Sequence, residues 1–191
     1  MEFPQQLRTP RLHFTRIESK DRDDFLRMRG DPRFIEALGA DATGAAAARF
    51  DLHTDHWERH GYGWWAVRDP ETGIFLGCGG LQSARVEGAD AIEVAYGFLP
   101  QFWGRGYASE VVRVAVAQGF VRLGAAEFVS FVLSTNAASR RVVEKAGFRY
   151  ERQVTHAGGP HLLYRLTAPA WHAAPRAPAT RTRAADVLQT A

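Results

Sequence analysis

The sequence predicts an α/β domain of the α+β kind, in which helices flank a mixed, mostly antiparallel sheet. Three observations carry that reading. Residues 63–98 hold period-two apolar runs separated by turn residues. Residues 108–123 repeat apolar side chains at helical spacing. Glycines stand where the runs end, at Gly30, Gly61, Gly73, Gly124 and Gly147.

Taken in order, LHFTRI at Leu12 to Ile17 alternates as a first strand, and Ser19 with Asp21, Asp23 and Asp24 marks a helix start. That helix runs to about Arg29, where Gly30, Asp31 and Pro32 break it. The stretch from Phe34 reads as a loop and then a helix ending at Gly61. GWWAVRD, IFLGCGGLQS and AIEVAYGF follow as three adjacent antiparallel strands. A glycine-rich loop, QFWGRGYAS at Gln101 to Ser109, leads into a helix carrying Val111, Val112, Ala115, Val116 and Phe120. EFVSFVLS is a strand, Asn136 to Ala146 a short helix, and Leu162 to Leu166 the last strand. The order is β-α-α-β-β-β-α-β-α-β.

At 191 residues, 46% hydrophobic and 12% aromatic, the chain is long enough to bury a core as one domain, residues 1–167. Residues 168–191 are rich in Ala, Pro and Arg and are expected to be disordered, with Trp171 the side chain able to dock them. No apolar run approaches the roughly 20 residues that span a bilayer, and the first residues lack a secretory pattern, so a cytoplasmic protein without a membrane partner is expected. Cys78 is the single cysteine, which excludes an internal disulfide and a CxxC site. The charge of +3 owes much to Arg176, Arg181 and Arg183 near the end, so nucleic acid is not an expected partner.

Two glycines around an arginine, where a strand hands over to a helix, point to an anion held by backbone N–H groups. A Walker loop would need Lys and Ser or Thr after the second glycine, and Tyr107 and Ala108 stand there. A dinucleotide fingerprint would need Gly or Ala where Ser109 or Glu110 stands. The third pattern is Gln or Arg, two residues, Gly, any residue, Gly or Ala. Gln101-Phe-Trp-Gly104-Arg105-Gly106 matches it.

On that motif the sequence resembles the GNAT superfamily of N-acetyltransferases. The block from Asn136 through Ser139 and Lys145 to Phe148, LRTPRL at Leu7 to Leu12, and GYGWWAVRDPETGIFLGCGGL resemble its RimJ/RimL-type branch. The resemblance spans roughly Leu7 to Leu166 and implies a GNAT-like fold that uses acetyl-CoA and no metal. It implies a V-shaped opening between the strands ending near Leu99 and Ser134. The residues it assigns to acetyl-CoA are Phe98, Leu99, Gln101, Trp103, Gly104, Arg105, Gly106, Tyr107, Ala108, Asn136, Ser139 and Arg140. The implied partners are acetyl-CoA and an amine acceptor, either a protein N-terminus of the ribosomal-protein type or a small amine or antibiotic, on a monomer or homodimer. The alternative is a non-catalytic acyl-CoA sensor or assembly module on the same fold.

The residues add their own argument. In AIEVAYGF, Ile92, Val94, Tyr96 and Phe98 share one face and Glu93, Ala95 and Gly97 the other, where small side chains leave room for a ligand. Gly97 inside a strand marks a bulge or a close backbone approach. Glu93 is either the general base that takes the amine proton or an exposed glutamate on a half-solvated strand. Ser139 is the candidate for protonating the departing thiolate, Val143 standing where related enzymes often have a tyrosine; its other reading is an ordinary hydroxyl in a first helical turn. Asn136 bonds pantetheine or caps its helix, and Arg105 pairs with phosphate or is solvated. Cys78 has no evident activating partner, and His53 with His56 has no clear third metal ligand. Asp31, Glu36, Asp41, Asp51 and Asp55, set against Arg33 and Arg49, form either an acidic rim that attracts a cationic amine or an idle solvated loop.

Overall fold

Alternating apolar residues build one twisted sheet, and each helix buries its apolar stripe on a face of it. The structure, a computed structural model, describes residues 2–38 and 46–173. A short hairpin, β1 (Gln6–Arg8) and β2 (His13–Arg16), precedes α1 (Arg22–Gly30), α2 (Pro32–Leu38) and α3 (Ala46–His60). Then come β3 (Trp64–Arg68), β4 (Phe75–Val86), β5 (Ala89–Phe98), α4 (Tyr107–Gln118), β6 (Glu127–Val132), α5 (Ala137–Lys145), β7 (Arg149–His156), β8 (Gly159–Thr167) and α6 (Ala168–Ala173). The sheet order is β1-β2-β3-β4-β5-β6-β8-β7, antiparallel throughout except for the parallel pair β5–β6.

The two helix layers lie on opposite faces, as β5 shows. A Cβ placed on Gly97 would stand 2.9 Å from Phe34 Cζ and 3.3 Å from Met28 Cε, so that position faces α1 and α2. Its neighbour Tyr96 reaches Ser139 of α5 instead. The β4–β5 register runs without a shift from Gly77↔Phe98 to Val86↔Ala89. Gly97 therefore marks a close approach and no bulge. On the α4 face Val111, Val112, Ala115 and Val116 are buried, and α4 widens into a π turn over Gly119–Leu123 where Phe128 packs against Gly119.

Several elements depart from the sequence reading. The expected loop after Gly30 holds α2, because Pro32 starts a helix as readily as it ends one: the Asp31 carboxylate accepts the Arg33 N–H at 2.9 Å and its carbonyl the Ile35 N–H at 3.0 Å. Strand β7 buries only Val154 along its length, which left no alternation to read. Residues 168–173, assigned above to a disordered tail, form α6, and Trp171 stacks on Phe120 with ring centroids 4.9 Å apart. Residues 174–191 lie outside the described residues. At the other end of the sheet, fully buried Asp21 accepts from the Glu18 N–H at 2.9 Å and from Arg68 at 2.7 Å, pinning the start of α1 to β3. Among the described residues no helix is long and apolar enough to cross a membrane.

Ending the chain after Thr167 removes the Trp171–Phe120 stack and uncovers Phe120. The loss is expected to be about 1–2 kcal/mol, a melting temperature lower by roughly 2–8 °C in a chain of this size. An unchanged thermal midpoint in the truncated protein would show that α6 contributes nothing to the core.

Candidate active site

The site begins where two strands separate. β5 and β6 pair at a single register position, Glu93↔Val129. One step further the buried Ser130 hydroxyl donates to the Val94 carbonyl at 3.0 Å, taking the place of a ladder bond. Where β5 ends, the Trp103 indole N–H donates to the Phe98 carbonyl at 2.7 Å. Tyr96 lies two residues from each of these, so its backbone N–H and C=O face the same edge, along the opening.

That opening is a cleft of about 380 Å³ between β5, the loop after it, α4 and α5. Gly104 and Gly106 both take left-handed backbone conformations, φ +76° and +79°, which a side chain would strain. Gly106 is the N-cap of α4 and no side chain caps it. The N–H groups of Tyr107, Ala108 and Ser109 therefore have no partner within the helix, and they carry the positive end of its dipole. The loop is held from behind by the turn between β1 and β2. Arg11 donates through Nε to Glu110 at 2.9 Å, through Nη2 to the same carboxylate, and through Nη1 to the Arg105 carbonyl at 3.0 Å. Thr9 donates to the other oxygen of Glu110 at 2.5 Å. LRTPRL thus sets the loop whose N–H groups point into the cleft.

Of the twelve residues that the resemblance assigns to acetyl-CoA, Phe98, Trp103, Gly104, Gly106, Tyr107, Ala108, Asn136 and Ser139 line the cleft. Four do not. Leu99 is buried with its N–H on the Leu76 carbonyl, and Leu99 and Gln101 border a separate recess beside Arg27. Arg105 lays its guanidinium over the Phe102 ring, 5.5 Å from its centroid, and Arg140 lies against the Tyr164 hydroxyl. The cationic side chains on the cleft are Arg141 and Lys145, one turn apart on α5. The helical period counted from Ala138 and Val142, which also line the cleft, would have found them.

Glu93 stands where β5 and β6 still pair and does not itself line the cleft; at 5% exposed it is not a solvated strand glutamate. Burial pushes its carboxyl up to about 7, against the lowering effects of the Gln82 amide, donating at 2.7 Å, and of the Arg49 guanidinium. The Ser139 hydroxyl lies 2.9 Å from that of Tyr96, which is pushed up to about 12 by burial and so stays a neutral phenol. Sequence reasoning missed Tyr96 because alternation placed it among the large side chains facing the core; its partner is 43 residues away. Asn136 Oδ1 accepts the Ser139 N–H at 2.9 Å as a helix cap, and its Nδ2 donates to the Ala37 carbonyl at 3.1 Å. His53 stacks on Trp64 at 4.0 Å, whereas His56 is held by the Tyr62 carbonyl and the Ser83 N–H. Among the described residues no three His, Cys, Asp or Glu side chains gather as a metal site. Burial raises the Cys78 thiol well above its ordinary range.

The model of the acetyltransferase (GNAT) domain matches residues 11–149. An uncharacterized N-acetyltransferase of Bacillus subtilis, YoaA, is 32% identical over 87 residues, 46% of this chain and 49% of its own length, so the match spans about half of that relative. A structure from Bordetella pertussis described as a GnaT-family acetyltransferase superposes with a TM-score of 0.71 at 26% identity, over 85% of this chain and 99% of its own. Mycobacterium smegmatis RimJ, solved with CoA-disulfide, has the same fold at 21% identity, with a TM-score of 0.65 over 87% of this chain and 90% of its own.

Two substitutions test the loop by calorimetry with CoA. Gly106→Asp adds a carboxylate and a strained side chain, and is expected to weaken binding more than roughly 10-fold. Arg11→Met frees the loop without touching the cleft wall and should weaken binding less. Equal affinity in both variants and the parent would remove the loop from the anion site.

Proposed function

We propose that this chain, which belongs to the GNAT acetyltransferase family, moves an acetyl group from acetyl-CoA to a primary amine by direct attack within a ternary complex. The observation that carries the proposal is the parted β5–β6 pair, with a helix N-terminus at one end of the opening and a buried carboxylate at the position where the strands still pair.

Acetyl-CoA supplies an activated thioester; this chain's residues hold it and manage the protons. The N–H groups of Tyr107, Ala108 and Ser109, with Arg141 and Lys145 across the cleft, fit phosphate oxygens. The Tyr96 backbone offers pantetheine a strand edge. An attacking amine must be neutral, and a carboxyl near 7 is basic enough at neutral pH to take its proton while remaining a competent acid afterwards.

The hydroxyl pair Tyr96–Ser139 lines the cleft, where it would meet the departing sulfur. A thiol ionises near 8.5, so full transfer of a proton from a phenol near 12 is roughly 5 kcal/mol uphill. The pair therefore stabilises the developing thiolate by hydrogen bonding, with the proton coming from solvent once the product leaves. This refines the role of Ser139 as an acid. Membership of the RimJ/RimL-type branch rests on the LRTPRL and Asn136–Phe148 blocks, and would make a protein N-terminus or a small amine the acceptor.

CoA release with a thiol reagent, measured over a panel of amines, tests the activity. Glu93→Gln is expected to lower kcat/KM by about 10²–10³-fold near pH 7, the deficit shrinking as pH approaches the pKa of the amine itself. A pH profile equal to the parent's would acquit Glu93. Stability supplies an independent check. A carboxyl raised in the folded state stabilises below its unfolded value near 4.5, and that contribution is lost as pH rises through about 7. The Gln variant should therefore gain melting temperature relative to the parent between pH 5 and pH 8. Tyr96→Phe should lower kcat roughly 10-fold with little change in KM, and a variant with unchanged kcat would make the pair structural.

A further inference from the structure

Of the acids expected to attract an amine, Glu36 is exposed on α2 and Asp41 lies outside the described residues. What α2 presents to the cleft is apolar: Phe34 and Ala37, on one helical face, line it beside Gly97. Phe34 is 4% exposed, and its ring tip rests on Gly97, with Cζ and Cε2 at 2.9 and 3.0 Å from where a Cβ would stand. The ring is packed from other sides as well. Met28 of α1 reaches the same point, its Cε 3.3 Å from that position, and the Arg29 guanidinium lies 5.6 Å from the ring centroid. The end of α2 is tied in place, because Asn136, the cap of α5, donates to the Ala37 carbonyl at 3.1 Å.

Alternation decides which part of a bound thioester meets this wall. Gly97 shares a face of β5 with Glu93 and Ala95, whereas Tyr96 turns the other way, to Ser139. A thioester with its sulfur beside the Tyr96 and Ser139 hydroxyls, attacked from the Glu93 face, crosses the strand edge between them. Its acyl substituent then emerges at Gly97, under Phe34.

We infer that Phe34 sets the length of the acyl group this chain transfers: its ring on Gly97 admits the methyl of an acetyl group and blocks a longer chain. The inference rests on the acetyl-transfer reading and names the residue that selects its donor. A chain longer by one methylene has to push the ring off Gly97 against Met28 and Arg29, and a close-packed wall resists such overpacking. The side chains of Phe34 and Ala37 hold no polar atom, so shape, and not hydrogen bonding, does the selecting at this wall.

The test measures CoA release from acetyl-, propionyl- and butyryl-CoA with the best amine of the panel held fixed, and calorimetry of each acyl-CoA without amine. In the parent, butyryl-CoA should be poorer than acetyl-CoA by roughly 10²-fold in kcat/KM, with propionyl-CoA between them. Phe34→Ala should raise the value for butyryl-CoA itself by about 10-fold or more, a gain that misfolding cannot produce. Phe34→Leu, which keeps more of the packing, should raise it less. A parent that uses butyryl-CoA as well as acetyl-CoA overturns the inference and leaves acetyl transfer standing. If Phe34→Ala shifts the KM of the amine and leaves the acetyl-to-butyryl ratio unchanged, the ring belongs to the acceptor site and the inference falls. No release from any acyl-CoA overturns acetyl transfer instead. The calorimetric preference for acetyl-CoA over butyryl-CoA, and its loss in Phe34→Ala, then decides the inference by itself.

Discussion

The parting of β5 from β6 after one paired position is the constraint on which the site depends. A sheet interior cannot abandon backbone hydrogen bonds without replacing them. Two side chains make the replacements here: Ser130 takes the Val94 carbonyl and Trp103 the Phe98 carbonyl. Between them the strand edge is left to a ligand. Glu93 lies at the one position where the strands still pair, and its side chain is buried on the face of the sheet. A carboxylate at a fully opened edge would be solvated and would titrate as an ordinary acid.

The far end of the cleft is organised by a different kind of interaction. An isolated surface ion pair contributes little, but Arg11 engages two groups through three nitrogens, and Thr9 shares the same carboxylate. What this network secures is direction. With the Arg105 carbonyl tied to Arg11, the peptide after it cannot flip, and the N–H groups at the start of α4 stay aimed into the cleft. Glu110 also sits in the first turn of α4, where its charge is favourable to the helix dipole.

Between the two ends the chemistry depends on groups that burial keeps away from their ordinary behaviour. Tyr96 stays protonated, and burial holds back the ionisation of Glu93. Asp31, Asp51 and Asp55 look like a cationic-substrate rim in one dimension, yet Asp31 pairs with Arg33 at the start of α2, Asp51 with Arg22 of α1 and Asp55 with Arg59 of α3.

Sequence alone determined the sheet's central hairpins, the glycine loop, α4, and Glu93 on the small-residue face, because each is written in a local period or a turn residue. It also placed eight of the cleft-lining positions by motif. It could not show β7, whose exposed edge carries no alternation, or α2, where one proline served equally as stop and start. The substitution of Arg141 and Lys145 for Arg140 is an orientation that depends on how α5 docks. Tyr96 beside Ser139, Arg11 on Glu110 and Gln82 on Glu93 join residues on different elements. Such contacts exist only once the sheet has folded and the helices have packed on it, so tertiary structure decided them.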